Sequence, residues 1–120
     1  MPRILAVDDS TSMRQMVTFT LKAAGFDVAE AEDGAVALNL ARKEKFTLVL
    51  ADVNMPNMDG ITLVKNLRTL PDYKFTPVLM LTTETTPEKK QEGKAAGATG
   101  WLVKPFNPET LIATIKRVVG

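Results

Sequence analysis

Hydrophobic residues in this chain fall into short continuous runs that alternate with segments in which they recur every three or four positions. Each continuous run predicts a strand, and the runs occupy residues 3–7, 26–31, 47–51, 77–81 and 100–103. The periodic segments predict helices, which occupy residues 11–24, 34–43, 61–68, 87–97 and 108–119. Strand and helix therefore alternate five times along the chain.

Helix signals and strand composition together indicate the fold class. Thr86 precedes Pro87 and Asn107 precedes Pro108, which is the arrangement of a capping residue followed by proline at the first helical position. Gly25 ends the first helix. The second predicted strand is weaker, since it contains Asp27 and Glu30. The others are largely apolar on both faces, as is typical of a parallel sheet covered by helices on both sides. We therefore predict a doubly wound α/β domain with right-handed crossovers.

Several residues are assigned ordinary structural roles at this point. Met13 and Met16 are expected to pack in the core, and Asp33 and Gly34 are expected only to begin the second helix. The fourth helix has a thin apolar stripe and contains Gly93, which costs about 1 kcal/mol relative to alanine. We expect this helix to be a weakly anchored element. The alternative is that its small residues simply allow it to lie close to the sheet.

Composition excludes several classes of protein. The 120 residues suit one domain, and no stretch is long and apolar enough to span a membrane. The chain has no cysteine and no histidine, so neither a disulfide framework nor a thiolate or imidazole metal site is expected. A net charge of +1 gives no basic footprint for nucleic acid. We expect a cytoplasmic protein that binds neither nucleic acid nor membrane, since no signal peptide is recognisable.

Polar residues follow the predicted strands where the apolar runs end. Asp8 and Asp9 follow the first strand, Asp52 the third, Thr82 the fourth and Lys104 the fifth. Ligands of parallel α/β sheets bind outside the carboxyl ends of the strands. Each residue alone has an ordinary explanation, such as a helix N-terminal acid or a strand-end hydroxyl. Their coincidence at four strand ends favours a shared site.

Three carboxylates in one crevice call for a cation. Two unit charges about 4 Å apart repel by roughly 4 kcal/mol at an effective dielectric near 20, and one lysine does not neutralise three acids. All-oxygen ligands favour Mg²⁺ or Ca²⁺ over zinc, and an open crevice with few protein ligands suits Mg²⁺. A carboxylate, Mg²⁺, a lysine and a threonine hydroxyl make a phosphoryl site, in which an aspartate can be the nucleophile.

Four stretches of the sequence together resemble a known family. "VDDS", "ADVNMPNMDG", "LTTE" and "GWLVKPF" resemble the receiver domain of two-component response regulators, above all the stand-alone chemotaxis regulators of the CheY type. The resemblance covers residues 3–119. It implies the flavodoxin-like (βα)5 fold, of which CheY is a known example, with five parallel strands in the order 2-1-3-4-5. It also implies one receiver domain over residues 1–120, with no effector domain in this chain.

The resemblance implies a role for each acid at the site. Asp52 is the expected phosphoacceptor, which takes a phosphoryl group from a histidine kinase. Asp9 is expected to ligate Mg²⁺ directly, and Asp8 mainly through water. Asn54 is expected to give its backbone carbonyl to the metal, while its side chain, together with that of Glu84, tunes self-dephosphorylation.

The resemblance also implies a switch. Thr82 is expected to hydrogen-bond the phosphoryl group and move with it, and Lys104 to pair with the phosphoryl oxygens. Trp101 occupies the position of the switch aromatic, where tyrosine or phenylalanine is more usual, although an ordinary core role for this ring stays open. The resemblance further implies a cis bond between Lys104 and Pro105.

The function implied is that of a signalling phosphoprotein that catalyses only its own phosphorylation and dephosphorylation. Its output face would be the fourth helix, fifth strand and fifth helix, and its partner a flagellar motor switch protein. It is expected to be a monomer when unphosphorylated. A phosphorelay intermediate or kinase regulator is the alternative. An aspartate-nucleophile phosphatase is more distant, because such enzymes usually carry an acid where this chain has Asn54. A flavin binder is disfavoured by the acids and by the absence of a glycine-rich loop.

Overall fold

Five strands and five α-helices alternate along the chain, as the hydrophobic pattern predicts. The computed structural model describes residues 2–119, so residues 1 and 120 of the predicted domain lie outside the described part. The elements are β1 (Arg3–Val7), α1 (Thr11–Ala23), β2 (Asp27–Ala31), α2 (Gly34–Lys43), β3 (Leu48–Ala51), α3 (Gly60–Leu67), a 3₁₀ turn (Pro71–Tyr73), β4 (Val78–Thr82), α4 (Pro87–Ala96), β5 (Gly100–Val103) and α5 (Pro108–Val119).

The strands form one parallel sheet in the order β2-β1-β3-β4-β5, which confirms the expected topology. Val7 at the end of β1 pairs with both Ala31 of β2 and Ala51 of β3. The chain places β2 on one side of β1 and then crosses over to place β3 on the other side, so the strand order changes direction between β1 and β3. The residues after these two strands therefore flank one crevice at the carboxyl edge of the sheet.

Each face of the sheet carries its own core. On one face, strand residues such as Leu5, Val49 and Met80 pack with buried residues of α2 and α3. On the other face, Ile4 and Leu79 and their strand neighbours pack with buried residues of α1 and α5. The inner strands β3 and β4 are buried along their whole length because both of their faces are covered by helices, while the edge strand β2 carries the exposed residues Asp27 and Glu30.

Element boundaries differ from the predicted ones by a single residue in several places. Helix α1 ends at Ala23, because Gly25 adopts a positive φ of 95° that breaks the helix. Helix α3 spans 60–67 instead of 61–68, because the carboxylate of Asp59 caps the amide of Thr62. Strand β4 runs over 78–82 instead of 77–81, and β2 and β3 each begin one residue later than expected.

The expectation that Met16 packs in the core is wrong. Its side chain is 57% exposed, while Met13 is partly buried against the core as expected. The buried residues of α1 include Val17 and Leu21, which are four positions apart and so share one face of the helix. Met16 precedes Val17 by one position, or about 100° around the helix axis, and so faces away from the sheet.

The predicted caps of the last two helices are confirmed. The Thr86 hydroxyl accepts a hydrogen bond from the Lys89 amide at 3.3 Å, and the Asn107 side-chain oxygen accepts one from the Thr110 amide at 3.1 Å. None of the helices within residues 2–119 has the length and apolar character needed to cross a membrane.

Candidate phosphoryl and metal site

The carboxyl ends of β1, β3 and β5 bring Asp8, Asp9, Asp52 and Lys104 into one cluster. Each of the three acids offers one carboxylate oxygen within 4.8 Å of the others. Asp8 and Asp52 are buried, with 5% and 9% of their surface exposed, while Asp9 is open to solvent. The cluster is thus a shallow crevice with two buried acids below one exposed acid.

Lys104 joins the two buried acids. Its Nζ donates to Asp8 Oδ2 at 2.7 Å and to Asp52 Oδ2 at 2.8 Å. Burial by itself lowers the pKa of Lys104, but the hydrogen bonds to Asp52 and Asp8 outweigh it, so the net pKa is raised. The Lys104 amide donates to the Thr82 carbonyl at 2.9 Å, and the Lys104–Pro105 bond is cis, as expected.

The other oxygens of the buried acids bond to the backbone. Asp8 Oδ1 accepts from the Ser10 amide at 2.9 Å, and Asp52 Oδ1 accepts from the Val53 amide at 2.6 Å. Within residues 2–119 no hydrogen bond engages the Asp9 carboxylate. Three carboxylates therefore face a single ammonium, and the most exposed one is free to bind. This all-oxygen, electron-rich donor set fits a hard divalent cation such as Mg²⁺.

Thr82 lies beside the cluster but does not bond to its acids within the described residues. Its hydroxyl oxygen is fully buried and accepts a hydrogen bond from the Glu84 amide at 3.1 Å. The Glu84 carboxylate accepts from the Thr86 hydroxyl at 2.9 Å. The pKa of Glu84 is lowered mainly by Thr86, with a smaller contribution from the Asn54 side chain. Glu84 and Asn54, the two expected tuning residues, therefore lie next to each other.

Trp101 contacts the same loop from the other side. Its indole Nε1 donates to the Glu84 carbonyl at 2.9 Å, and its ring is partly buried against the core. A Cβ placed on Gly93 would lie 2.8 Å from ring atom Cζ3 of Trp101. The glycine in the middle of α4 is therefore explained, since any side chain there would collide with the indole.

Similarity to known proteins agrees with this geometry. The model of the response regulator receiver domain matches residues 4–116. The chain belongs to this family. Chemotaxis protein CheY-3 of Vibrio cholerae is 42% identical over 117 residues, which cover 97% of this chain and 90% of that protein. Chemotaxis protein CheY of Pseudomonas aeruginosa is 38% identical over 117 residues, which cover 97% of this chain and 94% of that protein.

A solved structure extends the comparison. The chemotaxis protein CheY4 of Vibrio cholerae superposes on this chain with a TM-score of 0.95 at 63% sequence identity. The match covers 98% of each chain. The chain is thus a CheY-like receiver, a component of two-component signalling.

The receiver holds its Asp52 loop in place with residues that were expected only to begin a helix. Asp33 does cap α2 by accepting from the Val36 amide at 2.9 Å, but its other oxygen accepts from the Asn57 side chain at 2.8 Å. The Gly34 amide donates to the Met58 carbonyl at 3.1 Å, and a Cβ on Gly34 would lie 2.5 Å from that oxygen. The β2–α2 turn therefore clamps the loop that carries Asn54.

Arg14 is a second residue of the receiver site that the sequence reasoning missed. Its guanidinium donates to the backbone carbonyl of Asp8 at 2.6 Å and to the Glu30 carboxylate at 2.9 Å. A helical reading places Arg14 one turn after the Ser10 cap, on the part of α1 nearest the strand ends. That placement was available from the sequence, but the backbone partner was not.

The Asp33 clamp should make stability depend on pH in a defined direction. Hydrogen bonds from the Val36 amide and the Asn57 side chain lower the pKa of Asp33 below its ordinary value of 3.8. The stability that this carboxylate contributes is therefore present above about pH 4 and is lost as the pH falls through the lowered pKa. Asp33→Asn should lower the free energy of unfolding by about 1 kcal/mol at pH 7, because a charged acceptor becomes neutral.

Urea unfolding of the wild type and Asp33→Asn between pH 7 and pH 2 checks this expectation. The difference in unfolding free energy should be constant down to about pH 5 and then shrink. Asp72→Asn, which removes an exposed acid outside the clamp, controls for the loss of one charge. A difference that stays constant down to pH 2 would contradict the prediction.

Proposed function

We propose that this receiver is a phosphorylation switch in which Asp52 accepts the phosphoryl group from a phosphohistidine of a histidine kinase. The proposal rests on one observation above all: the Asp52 carboxylate shares a crevice with the Lys104 ammonium, to which it is bonded, and with two further carboxylates. Neither a histidine nor a cysteine is available in the sequence as an alternative nucleophile. Among the three carboxylates of the site, we assign the nucleophile to Asp52 because its position matches the phosphoacceptor that the family resemblance implies.

The transfer step is a displacement at phosphorus. A carboxylate oxygen of Asp52 forms a bond to phosphorus while the bond between phosphorus and the donor's nitrogen or oxygen breaks, and the leaving group keeps the electron pair. Lys104 Nζ, already 2.8 Å from Asp52 Oδ2, is placed to pair with a phosphoryl oxygen. The hydroxyl of Thr82 accepts from the Glu84 amide, so its own proton is free to donate to another phosphoryl oxygen.

Mg²⁺ is the cofactor that the cluster would hold. Asp9 is the expected direct ligand, Asp52 and the Asn54 backbone carbonyl complete the protein ligands, and Asp8 acts mainly through water. When bound, the cation supplies positive charge to the oxygens of the transferred group. The exposure of Asp9 supports this assignment, because a cation can reach its carboxylate without moving the buried acids.

Loss of the phosphoryl group is assigned to the same crevice. The family resemblance assigns both Asn54 and Glu84 to this step, and the influence of the Asn54 side chain on the pKa of Glu84 supports a joint effect on the rate of hydrolysis. The receiver would catalyse only its own phosphorylation and dephosphorylation. The phosphatase alternative lacks support, because the position two residues after Asp52 is Asn54, which offers no general acid.

Acetyl phosphate with Mg²⁺ is expected to label the wild-type receiver with one phosphoryl group on Asp52. Asp52→Asn should remain unlabelled, because the amide is a poor nucleophile, and chelation of Mg²⁺ should prevent labelling of the wild type. Intact-protein mass spectrometry measures both results. Equal labelling of Asp52→Asn would refute the site. Rapid turnover of a phosphomonoester would instead support the phosphatase hypothesis, and a flavin bound to the purified protein would support the flavin-binding hypothesis.

The switch is proposed to run from Thr82 to Trp101. If the Thr82 hydroxyl turns toward a phosphoryl group, its bond to the Glu84 amide is altered. The Glu84 carbonyl, on the same residue, is the acceptor of the Trp101 indole. A change at Asp52 can therefore reach the ring through one short loop, and the thin apolar contact of α4 suits a segment that repacks.

Trp101 is the chain's only tryptophan, so its fluorescence reports on this element alone. We expect phosphorylation, or binding of beryllium fluoride as a phosphoryl mimic, to shift its emission and change its quenching by acrylamide. Asp52→Asn should give neither response. An unchanged spectrum and unchanged quenching in labelled wild type would assign Trp101 to the core alone.

The output is proposed to be the binding of a protein through the face formed by α4, β5 and α5. The chemotaxis relatives support a role in chemotaxis. We propose a chemotaxis kinase as the donor and a flagellar motor switch protein as the leading partner, as the family resemblance implies. A role in a phosphorelay, or in regulating a kinase, is the second candidate. We further propose that residues 1–120 act as one receiver domain and that the unphosphorylated protein is a monomer.

The partner is tested with the motor switch protein of the organism that encodes this chain. Immobilised wild-type receiver should retain it more strongly with beryllium fluoride and Mg²⁺ than without them. Asp52→Asn should retain equal, low amounts under both conditions. Equal retention by the two states of the wild type would exclude this partner and favour the phosphorelay.

A further inference from the structure

We propose that Arg14 is a positioning residue for the cation site: it fixes the backbone turn that carries Asp8 and Asp9 without bonding to either of their carboxylates. This inference rests on the proposed function, because it concerns the Mg²⁺ that the cluster would hold. The Arg14 guanidinium is the only cation besides Lys104 that hydrogen-bonds to one of the three acids within residues 2–119.

Arg14 braces the end of β1 from the side of β2. One guanidinium nitrogen, Nη1, donates to the Asp8 carbonyl at 2.6 Å, and Nε donates to the Glu30 carboxylate at 2.9 Å. The Asp8 amide, in turn, donates to the Ala31 carbonyl at 3.1 Å. Both backbone polar groups of Asp8 are therefore hydrogen-bonded. The amide bonds to Ala31 of β2, and the carbonyl bonds to Arg14, which also bonds to Glu30 of β2.

The contact is well placed to order the site. The Arg14 side chain is only 15% exposed, and it lines the small cavity beneath Asp8 and Asp52. A hydrogen bond from a charged donor in such a partly buried position is stronger than one at the surface. The direction of the Asp8 carboxylate, and of Asp9 after it, depends on this turn of the backbone.

If Arg14 acted through its charge alone, it would oppose the binding of Mg²⁺. A positive group near a divalent cation repels it, so a purely electrostatic Arg14 would weaken Mg²⁺ binding. The observed contact spares the acids: the guanidinium bonds to the Asp8 carbonyl and leaves both carboxylate oxygens to Lys104 and Ser10. The positioning and electrostatic roles therefore predict effects of opposite sign on metal affinity.

Only arginine can make both contacts of this brace. The guanidinium reaches Glu30 with Nε and Asp8 with Nη1, two donors held apart in one rigid plane, while all the donors of a lysine sit on one nitrogen at the end of a flexible chain. Arg14→Lys therefore keeps the charge and loses the brace. Arg14→Gln loses both, and Glu30→Gln weakens the anchor and leaves Arg14 in place.

Titration of the unphosphorylated protein with Mg²⁺ in a calorimeter tests the proposal without any phosphoryl transfer. Arg14→Lys, which loses only the brace, should raise the Mg²⁺ dissociation constant by about tenfold, the low end for groups that orient metal ligands. Arg14→Gln should raise it by less, because the loss of a repelling charge partly offsets the loss of the brace. Glu30→Gln should raise the Mg²⁺ dissociation constant by a smaller factor than Arg14→Lys does. Lys22→Gln, an exposed cation on the same helix, should leave it unchanged. Circular dichroism and urea unfolding confirm that each variant is folded.

The outcomes separate the hypotheses. Tighter binding by Arg14→Gln with unchanged binding by Arg14→Lys would show a charge effect and overturn the positioning role. Wild-type affinity in both variants, with lower unfolding free energy, would make Arg14 purely structural and overturn it too. If Arg14→Gln fails to fold, Arg14→Lys and Glu30→Gln still decide. Absence of Mg²⁺ binding by the wild type would instead refute the proposed cofactor.

Discussion

A shortage of positive charge at the carboxyl edge of the sheet is the constraint on which the other features of the site depend. Three carboxylates face the single ammonium of Lys104, which must reach from the end of β5 across to β1 and β3. Removing Lys104, or both of the acids to which it bonds, would leave buried charge without compensation, which is costly in a folded protein. The cluster therefore depends on contacts from neighbouring residues. Its one exposed acid, Asp9, can bind an additional cation.

The neighbours of the cluster act mainly on the backbone. Arg14 holds the Asp8 carbonyl, the Asp33–Asn57 pair holds the loop after β3, and the Lys104 amide holds the Thr82 carbonyl. Each contact fixes a backbone turn without bonding to the three carboxylates of the cluster. The side of the site toward α4 is built differently, because Thr82, Glu84 and Trp101 form a single chain of hydrogen bonds through one loop. The crevice thus combines one half whose backbone turns are held by several side chains with another half that is connected through a single loop.

Much of this arrangement could be predicted from the sequence, and the reasons are physical. Apolar runs and helical spacing predict the parallel sheet, and a parallel sheet brings residues at its strand ends together whatever the loop lengths. Asp8, Asp52 and Lys104 could therefore be assigned to one crevice. The brace at Arg14 and the clamp at Asp33 could not, because their partners are backbone carbonyls or side chains on distant turns that leave no periodic signal. Met16 was misplaced for a related reason: methionine suits a core, but its angle around α1 points it outward.

Gly93 and Trp101 carry a consequence for how this protein can evolve. The indole lies where a side chain on α4 would be, so the two positions share one volume between them. A larger residue at position 93 is compatible only with a smaller or differently rotated ring at position 101, and a smaller ring at 101 leaves a void beside Gly93. Substitutions at positions 93 and 101 should therefore occur together, so that the residue at position 93 of α4 depends on which aromatic residue stands at position 101.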